Sequence, residues 1–302
     1  MIAALIIAAG KNAHSGSFEP QRIIGSIPAL RRIVMVFQRA GIERVVAVCD
    51  KDGEAVEKLA SYMNVIFLHN SADVEMLDNV KAGLDYLKDK CDGVVITHTG
   101  VPLFSVETVR ALLDAPGEVR IPSYSGRLGH PLFLSSERFQ DVLSFEGEGG
   151  LSGAVKATGI NPHFVDVDDE GVLANVRDDE EGYIDLLAEQ SVLDIYPSVR
   201  LRLIRERAFY GPGTHQLLQL VDETSSVREA CRRMGMSYNK GRNLITSMNQ
   251  QYGYPVIESQ QGGPTGGHSV VTDKGRELMD KYSAFYADAK QTLQDLFAKH
   301  FN

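Results

Sequence analysis

The stretch AALIIAAG at residues 3–10 is an unbroken apolar run that ends in glycine. A run without alternation suits a strand buried on both faces, as in a parallel sheet, and the glycine lets a loop leave its end. The same rhythm continues downstream. Leu30, Ile33, Val34, Phe37 and Ala40 fall at helical spacing within 29–40. RVVAVC (44–49) and VIFL (65–68) read as strands. Leu77, Val80, Leu84 and Leu87 share one helical face within 76–88, GVVIT (93–97) is another buried strand, and 106–113 another helix. Strand–helix alternation at this pace predicts an α/β fold with a doubly wound, mostly parallel sheet. Such sheets hold ligands at the carboxyl ends of their strands, which directs attention to the loops after Ala9 and Thr97.

The chain has 302 residues, enough for two domains. Hydrophobic residues make up 43% and charged residues 24%, a globular composition that excludes a disordered or collagen-like chain. No apolar run is long enough for a membrane span, and the first strand lacks the basic flank of a signal peptide. Cys49, Cys91 and Cys231 have no metal-ligand spacing, as expected for a reducing cytoplasm. Charge divides the chain. From Pro197 onward there are 14 Lys and Arg against 10 Asp and Glu, a balance of +4; the preceding residues carry 17 against 30, or −13. The expected domains are 1–194 and 195–302, and only the second suits a polyanionic partner.

Within the first domain no Walker A lysine and no GxGxxG follows the opening strand, so neither ATP hydrolysis nor NAD binding is favoured. The segments LIIAAG (5–10), NVKAGL (79–84), GVPL (100–103), GHP (129–131), GEGG (147–150) and the stretch Asn175–Tyr183 stand in an order that resembles the MobA-like nucleotidyltransferases of molybdopterin. The resemblance covers nearly all of residues 1–190. It implies a glycine-rich loop whose N–H groups meet a triphosphate, an Arg and a Lys that neutralise it, and an Asp-x-Pro aspartate that holds Mg²⁺. It places ligand contacts at Ala8, Ala9, Gly10, Lys11, Arg22, Asn79, His98 and Gly100.

This chain departs from that pattern at its charged positions. The family's Arg falls at Ala13 or His14, its Lys at Gln21, and Asp-x-Pro at Gly100-Val101-Pro102. The late acidic motif reads Asn175-Val176-Arg177 before Asp178–Glu181. A slip of one residue would recruit Lys11, Arg22 or Asp178, but none returns a carboxylate to 93–105. Mg²⁺ is therefore not expected, and no metal ligand is assigned. His98 and His130 fit acid–base roles or plain hydrogen bonding, and the acids at 166–170 and 178–181 fit a solvated face or, as the lesser alternative, a metal role.

The second domain opens with VRLRLIRERAFYGPG, read as one basic strand closing in a Gly-Pro-Gly turn, with a helix through 216–221. Ser225 or Ser226 caps a short helix with Val227 and Ala230 inward, Gly235 turns, and Ser237 caps a second helix. There Leu244, Ile245 and Met248 face the core, while Asn239, Arg242, Asn243 and Thr246 share the opposite face. Between Ser225 and Gln250 five bases meet one acid. This is a helix-turn-helix pattern. The strands at 255–259 and 269–272 flank the glycine-rich tip 260–267, and a final helix carries Leu278, Tyr282, Phe285, Ala289, Leu293 and Leu296 as a stripe. From about Val199 to Leu278, with GMSY, Met248-Asn249 and the GG-x-x-GG tip, the segment resembles the winged helix of ModE-like regulators, related to the LysR type. The resemblance implies binding of double-stranded DNA through Ser237, Asn239, Lys240, Arg242, Asn243, Thr246, Gly262, Gly263, Gly266 and Gly267, and a homodimer paired through the final helix.

Together these readings predict a cytoplasmic DNA-binding regulator of molybdenum or molybdopterin metabolism. Its degenerate transferase-like domain would sense a small phosphate-bearing ligand, such as a nucleotide or a molybdopterin. The alternative is an active molybdenum-cofactor cytidylyl- or guanylyltransferase that carries a regulatory domain, and the two are separated by the missing carboxylate at Gly100.

Overall fold

The computed structural model describes residues 1–9, 20–50, 53–60, 63–71, 74–175, 186–187, 195–260 and 268–301. The chain forms two compact units, Met1–Asp194 and Ile195–Asn302.

In the first unit the apolar runs form the parallel strands β1 (Ile2–Ile7), β4 (Arg44–Asp50), β5 (Val65–Asn70) and β6 (Gly93–His98). Short β2 (Ile23–Ile24) and β3 (Ile27–Pro28) pair in front of helix α1 (Ala29–Arg39). Helices α2 (Glu54–Leu59), α3 (Met76–Leu87) and α4 (Val106–Asp114) complete the alternation. Then come β7 (Val119–Tyr124), β8 (Arg127–Leu128), β9 (Leu132–Ser135), α5 (Phe139–Leu143), α6 (Gly150–Ala157) and β10 (His163–Asp166). The sheet runs β10-β7-β9-β6-β1-β4-β5, with β8 on β7. Of the seven strands on that path only β9 runs against its neighbours, pairing antiparallel with β6 and β7.

The core lies where the spacing put it. Leu30, Ile33, Val34 and Phe37 of α1 are fully buried against Ala4, Ile6, Val45 and Ala47. Each large side chain so buried contributes about 1.5–3 kcal/mol. The chain crosses one way from β1 to β4 and β5, then returns to β6 on the other side of β1. That reversal puts the ends of β1 and β6 side by side, with Ile7 level with His98.

The second unit departs from the reading of 199–213 as one strand. β11 (Leu203–Ile204) and β12 (Ala208–Tyr210) are two short antiparallel strands, and the chain turns between them at Arg205–Arg207. Buried Gln251 holds this turn, its Oε1 accepting from Glu206 N at 3.0 Å and Arg207 N at 3.4 Å. Gly-Pro-Gly closes nothing. Pro212 stands at the first position of helix α7 (Pro212–Thr224), where its missing N–H costs no bond, and Gly211 N donates to Thr214 Oγ1. Helices α8 (Val227–Arg233) and α9 (Tyr238–Tyr252) follow, then the hairpin β13 (Ile257–Gln260) and β14 (His268–Val271), and the long α10 (Asp273–Phe301).

Candidate functional site

The first candidate site is the corner where β1 and β6 end side by side. Ala8 and Ala9 are buried, with Ala8 N donating to Val48 O at 2.8 Å, while Thr99 N donates to Ile7 O at 3.1 Å. The chain leaving β1 is held at Ala9 by Asn79 of α3. This fully buried side chain donates from Nδ2 to Ala9 O at 3.2 Å and accepts from Asn70 Nδ2 at 3.0 Å. Gly10, Lys11, Ala13, His14, Arg177 and Asp178 lie outside the described residues. Gln21 is exposed and Arg22 half-buried, and the Arg22 carbonyl accepts from Ala29 N.

Around Gly100 the geometry is tight. Gly100 N donates to His98 Nδ1 at 3.1 Å, so Nδ1 serves as the acceptor. The His98 ring meets the edge of His130 at 4.8 Å between centroids and 77° between planes. Burial lowers the His130 pKa to about 4, so this ring is uncharged at neutral pH. A Cβ on Gly100 would stand 2.8 Å from His98 Nδ1, 2.9 Å from its Cε1 and 3.3 Å from Asn175 Oδ1. Position 100 therefore offers no side-chain oxygen, and a side chain there would have to displace the His98 ring.

The neighbouring acid is already engaged. Asp169 accepts from Gly171 N through Oδ1, and from Ser105 N at 2.7 Å and Thr108 Oγ1 through Oδ2, which ties it to the start of α4. No group of three His, Cys, Asp or Glu suited to a metal occurs among the described residues. Among the described residues this corner offers no carboxylate set for Mg²⁺; Asp178–Glu181 lie outside them. His98, Gly100 and Asn175 come together, and Asn79 stands apart, holding Ala9.

Sequence reasoning missed Arg32. It is 1% exposed, donates from Nη2 to Ile24 O at 3.5 Å, and has its pKa lowered to about 10 by burial. Its spacing to buried Val36, one helical turn on, was the available signal that the inward arc of α1 is wide enough to include it.

The second candidate site is the outer face of α9. Ser226 caps α8 by accepting from Glu229 N at 3.2 Å, while Ser225 ends α7 in the left-handed region at φ 53°. Ser237 caps α9 by accepting from Lys240 N at 3.3 Å. Asn239, Lys240, Arg242, Asn243 and Thr246 are exposed, whereas the inward positions are Gly241, Met248 and Gln251. Leu244 and Ile245, expected in the core, are only half-buried, whereas Gly241 is buried against Cys231 of α8. A Cβ there would lie 2.2 Å from Cys231 Sγ, so only glycine permits this spacing. Gly262, Gly263, Gly266 and Gly267 lie outside the described residues. Thr272 caps α10 by accepting from Gly275 N at 3.0 Å. Along α10 Leu278 and Tyr282 are buried, while Phe285 and Leu296 are about half exposed. No helix among the described residues is long and apolar enough to cross a membrane.

Residues 4–161, more than half of the chain, match the family described as MobA-like NTP transferase domain. Among curated proteins the chain is 32% identical over 100 residues to the molybdenum-pterin-binding protein MopB of Rhodobacter capsulatus, covering 33% of this chain and 37% of that protein. It is 28% identical over 79 residues to the DNA-binding transcriptional dual regulator ModE of Escherichia coli, covering 26% of this chain and 30% of that protein. The chain thus spans only about a third of the length of these curated relatives. A nucleotidyl transferase from Methanothermobacter superposes with a TM-score of 0.52 at 19% identity, over 62% of this chain and 95% of that one. The Rv0371C complex with manganese from Mycobacterium tuberculosis gives 0.51 at 19% identity, over 62% and 98%. At these identities the likeness is one of fold.

Proposed function

Because the chain belongs to the MobA-like NTP transferase domain family through its first unit, we propose that it is a DNA-binding regulator of molybdenum or molybdopterin metabolism in which that nucleotidyltransferase-like unit senses a ligand. The ligand is a small phosphate-bearing molecule, a nucleotide or a molybdopterin, held at the loop after Ala9. The second unit is a winged helix-turn-helix of ModE-like, LysR-related type that binds double-stranded DNA. The protein works in the cytoplasm as a homodimer joined by α10.

The observation that carries this reading is the outer face of α9. Its exposed Asn239, Arg242, Asn243 and Thr246 form a polar, basic surface on a helix braced at Gly241 against α8. A helix so presented enters a major groove, where Arg pairs with guanine and Asn with adenine. Lys240 at its start suits a phosphate. The hairpin β13–β14 stands as the wing, and the likeness to MopB and ModE supplies the molybdenum connection. Phe285 and Leu296, exposed on a 29-residue helix, suit a two-fold partner. Against a working transferase stands Gly100, around which the described residues offer the cation no carboxylate set.

The test is selection of genomic DNA fragments by the full chain at two salt concentrations, followed by titration of the enriched site. Enrichment of a pseudo-palindrome with half-sites about one helical turn apart is expected. Salt-sensitive binding without sequence preference would remove the regulator reading. Pyrophosphate release from CTP or GTP with molybdopterin and Mg²⁺ at about 1 s⁻¹ or faster would establish the transferase instead.

A further inference from the structure

We propose that His98 is a resident plug in the cation corner of the first unit. Its imidazole fills the place of a side chain at position 100, so a phosphate-bearing ligand of this unit is bound without a divalent cation. The statement about the ligand rests on the sensor reading above; the plug does not.

Three features of the corner agree. The first is closure: every residue from Gly93 to Phe104 is buried, so the segment that ends β6 is interior, not the wall of an open cleft. The second is fixation. His98 cannot swing aside freely, because its Nδ1 accepts from Gly100 N–H and its ring abuts His130, both within the buried corner. A side chain at 100 and the imidazole at 98 exclude each other, since the new Cβ would lie under 3 Å from two ring atoms.

The third feature is charge. Among the described residues a divalent ion in this corner would meet two imidazole rings, while Asp169, the acid that reaches Ser105, is spent on the start of α4. Thr99 Oγ1 and His130 Nδ1 are buried here without a hydrogen-bond partner. Neither replaces an anionic oxygen as a ligand for a hard cation, which takes carboxylate and phosphate oxygens. Among the described residues the corner holds no free carboxylate, and it is closed and occupied. Returning the acid alone would therefore not return the ion; His98 must leave as well.

A thermal-melt cycle on the full chain tests the plug. Gly100→Ala should lower the midpoint of the first unit by about 5 °C or more, and His98→Ala should remove at least half of that loss when the two are combined. If His98→Ala does not fold, His98→Ser serves in its place. An equal loss from Gly100→Ala in both backgrounds overturns the plug. The second arm is equilibrium dialysis of labelled CTP and GTP in Mg²⁺ and in EDTA. The wild type should bind them alike in both, while His98→Ala/Gly100→Asp should bind about tenfold more tightly with Mg²⁺. Wild-type binding that vanishes in EDTA, or Gly100→Asp alone gaining the Mg²⁺ preference, overturns the cation exclusion. A normal melt cycle with no nucleotide bound under either condition overturns a nucleotide as the sensed ligand and leaves the plug standing.

Discussion

Replacing Gly241 by alanine measures how closely α9 approaches α8. The new methyl carbon would sit 2.2 Å from Cys231 Sγ and 3.9 Å from Cys231 Cβ. Carbon and sulfur rest at about 3.5–4.0 Å, so the overlap with Sγ exceeds about 1 Å while the contact with Cβ is ordinary. Overpacking of this kind costs about 1–3 kcal/mol. Here it belongs at the upper end, because Cys231 is 1% exposed on a short helix and its sulfur has little space to turn into. Opposed to this, alanine is favoured over glycine in a helix interior by about 1 kcal/mol. The net expectation is a loss of about 2 kcal/mol, or about 8–10 °C in the midpoint of the second unit. In the Cys231→Ala background the obstruction is gone, so the same substitution should stabilise by about 1 kcal/mol. The chain has no Trp, so hydrogen exchange read by mass on peptides of α8 and α9 is the direct assay, supported by tyrosine near-UV signals. If Gly241→Ala proves neutral in the wild type, or costs the same with and without the sulfur, the close-packed helix pair is refuted.

Further outcomes follow from the same structure. Ser237→Ala removes the hydroxyl that accepts from Lys240 N and should cost about 1 kcal/mol, read as faster exchange in the first turn of α9. His130, whose pKa is lowered from 6.5 to about 4, takes up a proton more readily unfolded than folded. Stability of the first unit should therefore fall as pH drops from about 6.5 toward 4, and His130→Gln should flatten that slope in pH-dependent melts. Glu229 is held down to about 2 by hydrogen bonds from Arg232 and Arg233, so its stabilising effect is present above about 4.5 and is lost as pH falls toward 2. Glu229→Gln should abolish that acid-side loss in the second unit. On the DNA reading, Arg242→Ala should cost about 1–3 kcal/mol and relax base preference in competition assays, whereas Lys240→Ala should weaken all sequences alike and lower the salt slope by about one.

Much of this architecture could be read directly from the residues. Unbroken apolar runs at 3–9, 45–49 and 93–96 have no polar face to turn to solvent, so they dictate a sheet covered on both sides. The 3.6-residue spacing of Leu30, Ile33 and Phe37 dictates which side of α1 is buried. The missing carboxylate at Gly100 was also plain in the chain, as were the serine caps at 226 and 237, because caps depend on neighbours within one helical turn. Contacts between distant segments were not. That His98 stands in the space beside Gly100, that Asn79 spends its amide on Ala9, and that Arg32 is enclosed all depend on how strands and helices far apart in sequence pack together. The hairpin at 203–210 was misread because its turn residues, Arg205-Glu206-Arg207, carry no Gly or Pro; the turn is made by Gln251, more than forty residues later. Propensity and period act locally, so the sequence determined the elements and their buried faces. Exclusion of one side chain by another acts across the fold, so only the tertiary structure decided that the corner at β6 is closed and that α9 rests on a sulfur.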